Sequence, residues 1–181
     1  MNQETYKKRI SSMLPAGFLI LVISLGIFAS DFRIAGYRDP ALDLPGARMI
    51  HIAPQEAARY RWLSGVLRPN CDILFTMPGM GSLNLWSGVP TPNGFNLTAW
   101  MQILDQERQL EILEILRAHP QSCVVDNPAL VEFWMSGRTE GLSSAPLPRY
   151  IRNDMRVAAE TDGYQIRVSP NRTSPFSGQA R

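Results

Sequence analysis

Two short runs constrain this chain more than anything else in it: "CDILFTMPG" at 71–79 and "SCVVDNP" at 122–128. Each is apolar at consecutive positions, so both faces of the strand it forms need cover. Each is also stopped by a proline, which cannot donate to a sheet ladder. Strands of that kind suit a parallel sheet with helices on both sides.

The flanking segments agree with this. "PQEAARYRWLSGVLRPN" opens with Pro54 at a first helical position and Glu56 in the first turn, and its apolar residues fall at helical spacing. "RMIHIA" at 48–53 reads as one more short strand ahead of it. "SLNLWS" is a short helix ended by Gly88, with Ser82 as its cap. "NLTAWMQIL" starts another from Asn96 or Thr98. Asp105 restarts the helix, and Leu110, Leu113 and Leu116 form its apolar stripe. "PALVEFWMSG" is a helix from Pro128 to Gly137, "RYIRNDM" a helical turn, and "RVAAETDGYQIRVS" a hairpin turning at Asp162-Gly163. The expected fold class is therefore α/β: a small, mostly parallel three-layer sheet with a C-terminal antiparallel hairpin, preceded by one transmembrane helix.

That last element is "MLPAGFLILVISLGIFA", 17 uncharged residues at 13–29 after the basic run Lys7, Lys8, Arg9. With its flanking serines it approaches the ~20 residues that cross a hydrocarbon core as helix. The basic flank puts residues 1–12 in the cytoplasm and everything after 30 outside, across the inner membrane of a bacterial cell. A cleaved signal peptide is the rival reading, although Ile27 at the minus-three position makes a poor cleavage site. A buried core helix is the third. The organisation read from the sequence is a cytoplasmic N-terminus at 1–12, a membrane span at 13–30, a Pro/Gly linker at 31–47, an extracytoplasmic α/β domain at 48–169 and a disordered tail at 170–181. In an oxidising compartment, Cys71 and Cys123, each at the start of a strand, either bridge or remain as two buried thiols.

Little in the sequence carries chemistry. The net charge of +2 arises from 18 basic and 16 acidic residues spread along the chain, which leaves no footprint for nucleic acid. "PGMGSLN" sets Gly79, Gly81, Ser82 and Asn84 between a strand and a helix, where backbone N–H groups can cradle an anion. It lacks the third glycine of a dinucleotide fingerprint and the lysine of a P-loop, and a tight turn explains it as well. Ser82 as a nucleophile needs a partner histidine, and only His51 and His119 exist; both read as structural. Zinc on Cys71, Cys123, His51 and His119 lacks paired short-spaced ligands, so neither metal nor cofactor is expected. Asp72, Asp105, Asp126 and Glu132 share no local motif for glycosidic chemistry. Asp126, at a strand's carboxyl end, is the best single acid, and an Asx turn before Pro128 accounts for it equally. Trp86, Trp100, Trp134 and Tyr150 are candidates for stacking on a sugar and equally for core.

Taken together, "MPGMGSLNLWSGVPTPNGFN", "QERQLEILEIL", "CVVDNPALVEFW" and "YIRNDMRVAAETDGYQIRV" resemble the C-terminal portion of polytopic bacterial glycosyltransferase-like membrane proteins. This is the class of the dolichyl-phosphate-mannose protein mannosyltransferases and the undecaprenyl-linked aminoarabinose transferases. The likeness covers roughly residues 13–170. It implies a periplasmic domain attached to an enzyme that moves a sugar from a polyprenyl-phosphate carrier, with the bilayer, such an enzyme or the lipid-linked sugar as partners. The family's catalytic acid lies in an early extracytoplasmic loop with no counterpart here, so no catalytic residue carries over. The expectation is a domain that is non-catalytic on its own. A single-pass binding module unrelated to sugar transfer is the alternative, and an exported hydrolase using Ser82 or Asp126 is a third reading.

Overall fold

Four strands hydrogen-bond in the order β1-β2-β4-β3, in a computed structural model that describes residues 41–94, 96–138 and 141–177. They are β1 (Ile73–Met77), β2 (Ser122–Asp126), β3 (Arg156–Thr161) and β4 (Tyr164–Val168). β1 and β2 run parallel with Met77 opposite Asp126, and the other two pairings, β2 with β4 and β4 with β3, are antiparallel. The sheet is thus mixed rather than mostly parallel, which corrects the expectation. The missing parallel strand is 48–53. Met49 is 81% exposed and Ile50 41%, Ile52 packs against Leu42, Ala47 and Ala57 rather than on the sheet, and the strand-type pairing at His51 is an isolated bridge to Ala41. The apolar segment 13–29 lies outside the described residues. Among the described residues no helix is long and apolar enough to cross a membrane.

Helices fill the crossover and both faces. α1 (Pro54–Asn70) begins on its proline as the sequence predicts. α2 (Gly81–Ser87) and α3 (Trp100–Ile103) are short. α4 (Gln106–Ala118) is capped by Asp105, whose Oδ1 accepts from the Arg108 N–H at 2.9 Å. Its buried stripe is Gln109, Ile112, Leu113 and Leu116; Leu113 and Leu116 lie on it as predicted, while Leu110 is 41% exposed at its edge and Ile112 faces inward instead. α5 (Pro128–Trp134) follows β2, and α6 (Pro146–Arg149) runs into a π-helical turn at Tyr150–Asp154. The hairpin turns at Asp162 and Gly163 with φ of 44° and 80°, a two-residue turn whose handedness matches the twist of the strands.

The alternation along β1 and β2 divides the core in two. Phe75, Met77 and Val124 pack with Trp100, Ile112, Leu116, Leu147 and Ile151 on one face. Leu74, Val125, Ile166 and Val168 pack with Leu63, Leu67 and Leu83 on the other. The stretch 170–177, expected to be disordered, is instead pinned to the end of α1. Arg172 NH1 donates to the Asn70 carbonyl at 2.7 Å, and the Ser177 N–H donates to Asn70 Oδ1 at 2.9 Å.

Cys71 and Cys123 form a disulfide with their Cα atoms 5.7 Å apart, next to the amino ends of β1 and β2. The 52-residue separation encloses α2, α3, α4 and every loop between them. Closing a loop of that length removes roughly 4 kcal/mol of conformational freedom from the unfolded chain. The Cys71→Ser, Cys123→Ser variant is therefore expected to lose about 2–4 kcal/mol in urea unfolding. Peptides containing residues 71 and 123 should also migrate as one species in non-reducing mass spectrometry and separate on reduction.

Candidate functional site

The carboxyl ends of β1 and β2 lie side by side, and in layered α/β sheets this is where ligands gather. Two polar groups meet there, one on each face of the sheet.

The first is a chain of buried amides behind the Gly- and Pro-rich loop. Thr76 Oγ1 donates to Asn96 Oδ1 at 2.7 Å, and Asn96 Nδ2 donates to Asn84 Oδ1 at 2.8 Å. Asn84 Nδ2 donates in turn to the carbonyls of Leu74 (2.9 Å) and Val89 (3.0 Å). The Met80 N–H donates to Thr76 Oγ1, and Trp100 Nε1 to the Thr76 carbonyl at 3.0 Å. Every member is satisfied by another, which makes the loop a fixed body.

This arrangement takes up two of the four residues read as an anion cradle, Gly79 and Asn84. A Cβ on Gly79 would sit 2.0 Å from the Leu97 carbonyl oxygen, so the space in front of this glycine is filled by backbone. Asn84 is spent on the network. Gly81 and Ser82 are exposed on α2, whose N-cap is Met80 without a side-chain bond; Ser82 lies inside the helix and is not its cap. Asn96, read as a helix cap, is instead the middle of the amide chain. Trp86 packs on Tyr60 with ring centroids 5.3 Å apart, and Trp100 and Tyr150 are buried. Of the four predicted sugar-stacking aromatics, Trp134 is the most open, at 45% exposure beside Phe133 at 70%.

The second group surrounds Asp126, which has no exposed surface. Arg167 Nε lies 3.4 Å and Arg152 Nε 3.6 Å from its Oδ2, and neither carboxylate oxygen has a hydrogen-bond partner among the described residues. Arg167 cannot come closer because it is held elsewhere. Its NH1 donates to the carbonyls of Ile151, Arg152 and Met155, and its NH2 donates to Gln165 Oε1 at 2.7 Å. Burial pushes the Asp126 carboxyl above its ordinary value, and the two guanidinium groups pull it part of the way back. The adjacent Asn127 caps α5, accepting from the Leu130 N–H at 3.1 Å, so the Asx reading of "DNP" falls one residue later than Asp126.

The histidines sit apart from both groups. His119 Nδ1 lies 3.2 Å from Asp72 Oδ2 at the amino ends of the strands, the end opposite Ser82. His51 belongs to the bridge with Ala41. The sulfurs of Cys71 and Cys123 are committed to each other, and no three His, Cys, Asp or Glu side chains are placed to hold a metal among the described residues. Arg152, Arg167 and Thr76 were not singled out from the sequence, and Asn96 was read only as a helix cap. The alternation on β4 carries the signal for Arg167: Tyr164, Ile166 and Val168 face one core, which sends Gln165 and Arg167 to the side of Asp126.

No family model, no curated protein and no solved structure matches this chain.

Two outcomes follow from this geometry. Gly79→Ala must push the Leu97 backbone aside and should cost about 1–3 kcal/mol in urea unfolding, whereas Ser82→Ala should stay within about 0.5 kcal/mol. For Asp126, a folded-state pKa above the unfolded one means that stability present at low pH is lost as pH rises past the ordinary carboxylate value of 3.8. Wild type should therefore lose stability relative to Asp126→Asn as pH climbs from that value, and an unchanged difference between the two would contradict the buried-carboxylate account.

Proposed function

We propose that this chain is a membrane-tethered extracytoplasmic domain, related to the C-terminal domain of a lipid-linked-sugar glycosyltransferase and non-catalytic alone. In a bacterial cell it sits on the periplasmic side of the inner membrane, with the apolar stretch 13–29 as its tether. The observation that carries the placement is the Cys71–Cys123 disulfide, a bond that persists in oxidising compartments, in a chain whose apolar segment follows a basic run. The link to sugar transfer rests on the sequence patterns at 77–96, 106–116, 123–134 and 150–168.

The loop at 78–97 is consistent with a supporting role. Its Asn84, Ser87 and Asn96 side chains are spent on holding its shape, and rigid surfaces are suited to covering another protein's site rather than to proton transfer. Phe133 and Trp134, with Ile103 on the neighbouring α3, supply an exposed apolar surface suited to a partner enzyme or to a sugar ring. Gln102 Nε2 donates to the Trp134 carbonyl at 2.7 Å and ties the two helices together there.

Fusions after residue 177 test the placement: alkaline phosphatase should be active and green fluorescent protein dark. The reverse pattern overturns it. In detergent-solubilised membranes the chain should co-purify with a polytopic transferase, and Phe133→Ser with Trp134→Ser should weaken that association. Sugar transfer from a polyprenyl-phosphate donor by the purified chain alone would overturn the non-catalytic assignment.

A further inference from the structure

Residues 42–50 form a small closed loop whose exposed apolar side chains are held outward by construction. The Leu42 N–H donates to the Ile50 carbonyl (2.9 Å), the Ala47 N–H to the Leu44 carbonyl (2.9 Å) and the Ile50 N–H to the Ala47 carbonyl (3.0 Å). Leu42 and Ala47 are fully buried against Ala57 and act as the roots of the loop. Arg61 clamps its base, with Nε donating to the Leu42 carbonyl and NH2 to that of Ala41, each at 3.0 Å. Above these roots stand Met49 and Ile50. Leu85 of α2, 60% exposed, joins the loop; its Cδ2 lies 3.3 Å from where a Cβ on Gly46 would be.

We propose that this loop, with Leu85, docks into the surface of the lipid bilayer. The inference rests on the tether assigned above, because chain length then fixes the neighbourhood. Eleven peptide links separate Ser30, at the end of the apolar stretch, from Ala41 at the base of the loop. A fully extended chain of that length spans at most about 40 Å, so the loop stays within that distance of the headgroups. Arg48 on the rim suits lipid phosphates, and Asp43 on the same rim cancels its charge. Apolar insertion therefore carries the docking, and it should persist in neutral vesicles and at high salt. A weak individual contact suffices, since a short tether raises its effective concentration to the millimolar range.

The test uses the full chain reconstituted into phosphatidylcholine vesicles, with an environment-sensitive dye on Met49→Cys and, in a second preparation, on Glu114→Cys of the exposed face of α4. Lipids brominated near the headgroup should quench the dye at position 49 and not the dye at position 114. Adding Ile50→Ser and Leu85→Ser should lower the docked-to-undocked ratio by about tenfold. Protein that floats with the vesicles but shows no quenching at position 49 overturns docking and leaves the tether standing. Protein that fails to float overturns both.

Discussion

β1 is buried along its whole length and yet lies at the edge of the sheet. An edge strand with apolar side chains on both faces and an open row of backbone groups invites pairing with another chain, so it has to be covered from the side as well as from above and below. The Gly- and Pro-rich loop meets that need. The Leu74 N–H donates to the Pro90 carbonyl at 2.8 Å, and Asn84 reaches the Leu74 carbonyl from α2. Thr76 and Asn96 then lock the returning chain in place, and Gly79 allows the Leu97 backbone to pass at contact distance. The segment that most resembles a ligand cradle in sequence is thus shaped by the demands of one exposed edge.

Local rules made much of this fold legible. The prolines at 54 and 128, the Asp105 cap, the Asp162-Gly163 turn and the two doubly apolar strands each carry their signal within a few residues, and the structure places an element at each. What could not be read depends on partners far along the chain. Whether "RMIHIA" is a strand is decided by the presence of a sheet neighbour, and the roots at Leu42 and Ala47 take its place against the core. Ile112 rather than Leu110 faces inward because the crossing of α4 over the sheet sets the phase, and a leucine every third residue leaves that phase ambiguous.

The site was legible to a similar depth. Asp126 stood out from its position at a strand end, but its meaning depends on Arg152 and Arg167, which arrive from the π-helical turn and from the strand that pairs antiparallel with β2. Arg167 serves two masters: it satisfies the last carbonyls of the turn and faces the carboxylate at ion-pair distance. That division leaves Asp126 buried with charge nearby and no close hydrogen bond, an arrangement in which burial outweighs attraction. Asn84 and Trp86 show the opposite case, residue types suited to ligands that are committed to neighbours inside the domain.

The pinned tail bears on the sulfur bridge. Asn70, the last residue of α1, adjoins Cys71; its carbonyl lies 4.0 Å from Cys123 Sγ and also receives the guanidinium of Arg172, while its side chain receives the N–H of Ser177. Phe176 packs against the same core cluster as both cysteines. Thiol exchange requires an attacking thiolate to reach a sulfur in line. With Cys71 at 9% exposure and Cys123 at none, that approach waits on a local opening of the structure. The lifetime of the covalent bond under reducing conditions is then set by how often its surroundings open, and the stretch that braces Asn70 from a hundred residues away is part of those surroundings.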